Sequence, residues 1–356
     1  MQISKLNILF LLFFISILPC TLWAQAVPNR MIVVVDGYSS GSLFAPAIRH
    51  FDQQDQQTTL IVHVHSRGKP LPCFQSTFYP RNFDFDLVGN VPLAALANNV
   101  SRIAHNRDIR KVFVVAGAES GVMLADQLGQ ALNPIFGTPY NIPNPAKRDK
   151  YMLAQALKKA GIAHVRQIRT RDIAEAAAWI EVQKLFESAT KQVVVKPASS
   201  AGSEKVFFCS TLDEVQSAFQ AILGQVNTYG ILDTDLLVQE CILGQEYAFN
   251  TATLKIDGKR HTVAESLFAY QKRPAGNGQY IYWADRLLPL AGPLYERLSD
   301  YHARLLEALG HDVGLTHVEI FDTPDRGPVV GDFNARAMGS MGPMLVPMWP
   351  ITTRLS

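Results

Sequence analysis

Apolar residues in this chain fall into two rhythms. Short, mostly apolar runs, Met31 to Val35, Thr59 to Val64, a weaker Phe85 to Val88 and Lys111 to Ala116, mark strands buried on both faces. Between them the apolar positions repeat at helical spacing, as at Phe44, Ile48 and Phe51. Buried strands alternating with helices predict an open, parallel α/β sheet. The Ser39 to Ser42 segment after the first run is rich in serine and glycine but matches no phosphate-loop spacing, and is read as a helix entry.

Asn141 to Pro145, with two prolines and two asparagines, reads as a linker. Beyond it the pattern predicts helices over Arg148 to Ala160, Asp172 to Ser188, Leu212 to Leu223 and Leu294 to Leu309. Strands are expected at Gln192 to Lys196, Val206 to Phe208, Leu236 to Gln239, Tyr247 to Ile256, His261 to Tyr270, His317 to Phe321 and Val329 to Phe333. The fold class is therefore α/β, passing to α+β in the C-terminal part.

Composition adds limits. With 356 residues, 48% hydrophobic, the chain can bury more than one core. Thirty-three basic against 31 acidic residues give a net charge of +2 and no clustered basic excess, so no nucleic-acid partner is expected. Cys20, Cys73, Cys209 and Cys241 lack metal-ligand spacing and read as free thiols. Lys5, the apolar run Ile8 to Leu18 and Ala24-Gln25-Ala26 have the three parts of a secretory signal. That run is too short for a stable membrane span. Met31 directly opens the first strand, so residues 1–30 are read as a leader or as a misassigned start. The chain is cytoplasmic if translation begins at Met31, and exported otherwise.

Five ordered segments carry the chemistry. Asp149-Lys150 opens the helix that Gly161 closes. Val193 to Lys196 is an apolar strand ending in a lysine, which needs an anionic partner there. The small-residue loop Pro197 to Ser203 follows, with backbone N–H groups suited to phosphate. Leu236 to Asn250 holds Gln239, Glu240, Cys241, Ile242, Gly244 and Glu246. Thr316 to Phe321 carries Glu319, and Val329 to Ser340 carries Asp332, Asn334 and Arg336. Strand alternation puts Asp332 and Asn334 on one face with Phe333 behind. Glu319, Asp332 and Asn334 make an all-oxygen set that suits Mg²⁺, with Mn²⁺ as the alternative.

In order and spacing these segments resemble the ATP-grasp superfamily, and within it the carboxylate–amine ligases that act on L-amino acids. The resemblance covers roughly residues 145–342. It implies an ATP-grasp fold: an N-terminal parallel-sheet domain over 31–142 and an ATP-grasp domain over 143–356, with a lid over about 165–238 and an antiparallel catalytic sheet. It also implies an ATP site. Lys150 and Lys196 would meet the phosphates, with Ser200, Gly202 and Ser203 in a lid above them. Glu240 and the Cys241 carbonyl would read the adenine amine, the Ile242 N–H a ring nitrogen, and Glu246 the ribose. Glu319, Asp332 and Asn334 would hold the metal, and Arg336 with Lys196 would stabilise the transferring phosphoryl group. Where many relatives carry glutamate this chain has Asp332. Lys272 and Arg273, read as part of a loop, are candidates for a substrate carboxylate; His261, His302, His311 and His317 show no metal spacing and are read as ordinary.

The expected reaction is attack of a small-molecule carboxylate, such as an amino acid's, on ATP, followed by capture of the acyl phosphate by an amine. Carboxylation, ligation to a protein, or nucleotide binding without catalysis are the alternatives. A dimer is compatible with the sequence.

Overall fold

A computed structural model describes residues 28–70, 72–198, 204–227, 230–276 and 279–339. Residues 1–27 of the proposed leader, and Ser200, Gly202 and Ser203 of the proposed lid, lie outside the described residues.

The first sheet contains β1 (Arg30–Val35), β2 (Thr59–His65), β3 (Phe85–Val88) and β4 (Lys111–Ala116), in the order β3-β2-β1-β4. Every neighbouring pair is parallel. Helix α1 (Phe44–Asp55) packs on one face, against Ile32, Val34 and Ile61. Helices α2 (Leu93–His105) and α3 (Val122–Phe136) cover the other, over Met31, Val33 and Val35. Coverage on both faces is why β1 and β2 are buried along their whole length rather than at alternate positions.

Strand β1 starts one residue earlier than the sequence pattern suggests. Arg30 is 4% exposed, and its Nη2 donates to Asp52 Oδ1 at 2.6 Å, its Nε to Thr59 Oγ1 at 2.6 Å. Placing Arg30 in the leader is therefore corrected: its side chain closes a buried charge pair inside the first core.

The supposed linker is a pinned seam. Asn141 is buried, accepts from the backbone N–H groups of Asp312 and Val313, and donates to Asp126 and to the Val313 carbonyl. Lys147, 1% exposed, donates to Asp126 Oδ2 at 2.8 Å.

Helix α4 (Lys150–Lys159) follows, capped by the Asp149 side chain on the Met152 N–H. The second sheet has the order β5-β8-β6-β7, built from β5 (Gln167–Thr170), β6 (Val193–Pro197), β7 (Phe207–Cys209) and β8 (Leu236–Glu240). Its pairs are antiparallel, and α5 (Ile173–Val182) and α6 (Leu212–Ile222) pack on it around Val195, Phe219 and Val238.

The third sheet, ordered β11-β10-β9-β12-β13, is antiparallel throughout. It comprises β9 (Gln245–Ile256), β10 (Lys259–Gly276), β11 (Gln279–Leu288), β12 (Val313–Thr323) and β13 (Gly327–Asn334), with α7 (Pro293–Leu309) packed on its Phe249, Val318 and Phe333 face. The segment around Lys272 and Arg273, expected as a loop, is instead paired strand. Among the described residues no helix is long and apolar enough to cross a membrane.

Candidate active site

The opposite face of the third sheet carries the charged residues, and register explains the grouping. Glu319 pairs directly with Asp332, His317 with Asn334, and Ala248 with Glu319. A bulge on β13 matters here. Ile320 pairs with Val330 and Glu319 with Asp332, so Gly331 is the extra residue. Val330 therefore lies in the α7 core while Asp332, two residues on, faces the other way. A side chain at residue 331 would meet the Phe321 ring, whose Cε2 is 2.6 Å from the Cβ position, so only glycine fits.

Lys150, in the first turn of α4, reaches this face and lies 3.1 Å from Asp332 Oδ2. Lys196, closing β6 from the second sheet, sits in the same field. Burial pulls its pKa down, Lys150 adds to the effect, and Asp332 and Glu319 oppose it, leaving about 8. Burial pushes Asp332 up, but Lys150 and Lys196 outweigh it and hold the carboxyl below its usual range. Glu319 is also held low despite burial, chiefly through His317, whose Nε2 is 3.7 Å away. Lys150, Lys196, Gln167, Gln239, Val330 and Gly331 line a cleft between the second and third sheets.

Arg336 lies just past the end of β13. Its Nη2 donates to Asn334 Oδ1 at 3.3 Å and its Nη1 to the Ala337 carbonyl at 2.8 Å. Lys272 reaches from β10 to Glu246 Oε2 at 2.5 Å. Burial, and Glu319 nearby, push Glu246 up to about 7. Arg273 instead stacks on the Trp283 ring at 3.7 Å, on the adjoining strand.

Glu240 calls for a correction. Its carboxylate accepts from the backbone N–H and Nε of Arg166, both at 2.9 Å, and from Arg326 Nη1 at 2.8 Å. A carboxylate committed to two arginines is not free to take an exocyclic amine, and here it fixes the end of β8. The Cys241 carbonyl accepts from Thr190 Oγ1 at 3.3 Å, and burial raises the Cys241 thiol pKa, against a thiolate role. Gly244 is needed for a close approach: an added Cβ would stand 2.7 Å from the Asp322 carbonyl oxygen.

Two neighbours of these residues carried no signal in the sequence. His317 is buried beside Glu319. Its Nδ1 bonds Asn250 Oδ1 at 2.8 Å, and Asn250 donates to Ser266 Oγ and Met338 Sδ. Glu119, in the turn between β4 and α3, receives Arg148 Nη1 and, at 3.4 Å, Arg336 Nη2. No motif announces a lone glutamate at such a turn.

Elsewhere, His63, His65 and Asp86 bring ligand-type atoms together. The Gly37 N–H donates to His63 Nε2 at 2.9 Å, which leaves the His63 proton on Nδ1, facing Asp86 Oδ1 at 2.8 Å. His65 Nε2 lies 3.0 Å from Asp86 Oδ2, and its Nδ1 meets the Tyr38 hydroxyl. The nitrogen that would bind a metal is thus a proton donor, and the group is a closed hydrogen-bond network.

No family model matches the chain. Dapdiamide A synthase from Enterobacter agglomerans is 27% identical over 331 residues, 89% of this chain and 70% of that protein. N5-carboxyaminoimidazole synthetase from Staphylococcus aureus, solved with ADP, aligns with a TM-score of 0.59 at 12% identity, over 91% of this chain and 74% of its own. L-amino acid ligase from Bacillus licheniformis aligns with a TM-score of 0.54 at 16% identity, over 87% and 67%. The fold is the ATP-grasp fold, and the relationship to ATP-grasp ligases expected from the sequence is borne out.

Proposed function

We propose that this protein is an ATP-dependent carboxylate–amine ligase that joins small molecules, amino acids among them, through an acyl phosphate. The observation that carries the reading is the grouping of Lys150 on α4, Lys196 on β6, Glu319 on β12, Asp332 and Asn334 on β13, and Arg336 just beyond it, through direct contacts and a shared electrostatic field.

The residues fit MgATP on their own chemistry. Glu319 and Asp332 are adjacent carboxylates held ionised, and Asn334 adds an amide oxygen on the same face. That donor set suits Mg²⁺, which these three residues would hold and which would supply positive charge against the phosphates. Lys196 and Lys150 meet the phosphates, and Arg336 offers a planar fork to the group in transfer. Positioning and charge stabilisation supply the catalysis, as phosphoryl transfer requires. Attack of the carboxylate oxygen on the γ-phosphorus releases ADP and gives an acyl phosphate, a mixed anhydride; the amine then attacks its carbonyl carbon, loses a proton, and phosphate leaves. The Cys241 carbonyl and the Ile242 N–H, between β8 and β9, and Glu246, at the start of β9, remain assigned to base and ribose by the sequence resemblance, with Glu240 anchoring the end of β8. Ser200, Gly202 and Ser203 remain assigned to a phosphate lid by the sequence pattern. The division into a domain over 31–142 and another over 143–356 follows the same reading. ATP supply favours work in the cytoplasm.

ADP release measured with MgATP against pairs of amino acids tests the reading. A pair-dependent signal is expected. ADP release that ignores every carboxylate and amine offered would overturn it.

A further inference from the structure

We propose that Arg148 and Arg336 form one oxyanion clamp for the substrate, and that the Glu119 carboxylate occupies that clamp in this structure as an internal stand-in. The inference rests on the ligase reading above and extends it to a substrate subsite.

Glu119 is 7% exposed, and its two oxygens go to different guanidiniums: Oε1 to Arg148, Oε2 to Arg336. The arginines come from distant parts of the chain. Arg148 immediately precedes the Asp149 cap and Lys150, while Arg336 follows Asn334. The carboxylate between them therefore lies beside the phosphate and metal residues. Two guanidiniums on one carboxylate is the arrangement by which proteins hold carboxylate or phosphoryl ligands.

The place in the fold supports a ligand. Glu119 stands at the C-terminal edge of the parallel sheet, in the turn after β4, where α3 begins. The strand order reverses between β1 and β4, and ligands of open α/β sheets bind at that crevice. The same edge holds Asp36, whose carboxylate takes Ser66 Oγ at 2.6 Å and Ser120 Oγ at 2.5 Å, so neighbouring polar groups there are already satisfied. Glu119 is the acid at this edge that faces the catalytic sheet.

An anionic substrate group entering the clamp competes with Glu119. Removing the Glu119 charge, while keeping its shape, then tightens anion binding; an acid that served only as a structural bridge would give the opposite result, since its loss disorders the arginines. Two groups in the proposed reaction carry the required chemistry: the α-carboxylate of an amino acid, and the transferred phosphoryl group.

Acetate and inorganic phosphate, titrated separately into the full chain without nucleotide or magnesium, test the clamp. Glu119→Gln is expected to tighten at least one of them about tenfold, Glu119→Asp to stay near wild type, and Glu119→Gln/Arg148→Gln to lose the gain. Tightening of acetate alone assigns the clamp to the carboxylate; tightening of phosphate alone assigns it to the phosphoryl group. Unchanged or weaker binding of both anions in folded Glu119→Gln overturns the proposal, as does a gain that survives loss of Arg148. Should Glu119→Gln not fold, Arg148→Gln in the otherwise native chain decides: it weakens binding if the clamp exists, and unaltered affinity refutes it. Because the assay contains neither ATP nor metal, its failure is separate from failure of the ligase reading, which is judged by ADP release.

Discussion

Replacing Arg30 with methionine removes a charge while roughly keeping length and apolar volume. Asp52 would then stand inside the first core, 6% exposed, without its cation. Losing one partner of a buried ion pair costs about 3–5 kcal/mol. Asp52 keeps two hydrogen bonds from Thr59, to its N–H at 2.7 Å and its Oγ1 at 2.8 Å, which places the expected loss at the lower end, about 3 kcal/mol. At about 2–4 °C per kcal/mol, the unfolding midpoint should fall by roughly 6–12 °C. Thermal unfolding followed by circular dichroism reads this directly. Arg30→Met/Asp52→Leu should recover most of the loss, since an apolar pair can replace a buried ionic one. A midpoint within a degree of wild type for Arg30→Met would refute the reasoning, and with it the claim that residue 30 belongs to the fold rather than to a leader.

Lys196, with its pKa lowered to about 8 from 10.5, gives ATP affinity a pH dependence. Below pH 8 the ammonium is present and affinity should be flat; above it, binding must take up a proton, so affinity should fall by up to about tenfold per pH unit. Calorimetry in buffers of different ionisation enthalpy checks the uptake, and Lys196→Arg should abolish it. Arg336→Lys should lower kcat by about a hundredfold or more, because a point charge cannot replace a planar fork; steady-state ADP release within a few-fold of wild type would count against its role. Glu319→Gln and Asp332→Asn should each raise the magnesium requirement at least about tenfold while ATP binding in EDTA holds or improves, since each change removes a ligand charge and eases its repulsion of the phosphates. Magnesium titrations of turnover, beside metal-free ATP titrations, separate the two effects.

Much of the fold was legible because its causes are local. Short apolar-rich runs such as Thr59 to Val64, bounded by polar segments, fit strands covered on both faces, and the structure covers them with α1, α2 and α3. The site was legible where an awkward residue stood in a telling place, as with Lys196 ending a buried strand. The remainder depends on long-range geometry. Simple alternation puts Val330 and Asp332 on one face; the bulge at Gly331, where the Phe321 ring leaves no room for a side chain, separates them. Glu240 looked available because Arg166 and Arg326 are 74 and 86 residues away in sequence. Glu119 lies 217 residues from Arg336, and Asn141 lies 172 from the Val313 backbone it pins, so neither shows a periodic signal. The paired strand over Lys272 and Arg273 was masked by Pro274 and Gly276, which read as loop residues but lie within β10.

The central claim is that a carboxylate oxygen attacks the terminal phosphoryl group of ATP. Isotope transfer tests it most directly. A substrate carboxylate labelled with oxygen-18, incubated with MgATP and its amine partner, should deliver one labelled oxygen to inorganic phosphate for each amide formed, with ADP as the nucleotide product. Phosphate free of label, or label found in AMP, would contradict the acyl-phosphate account.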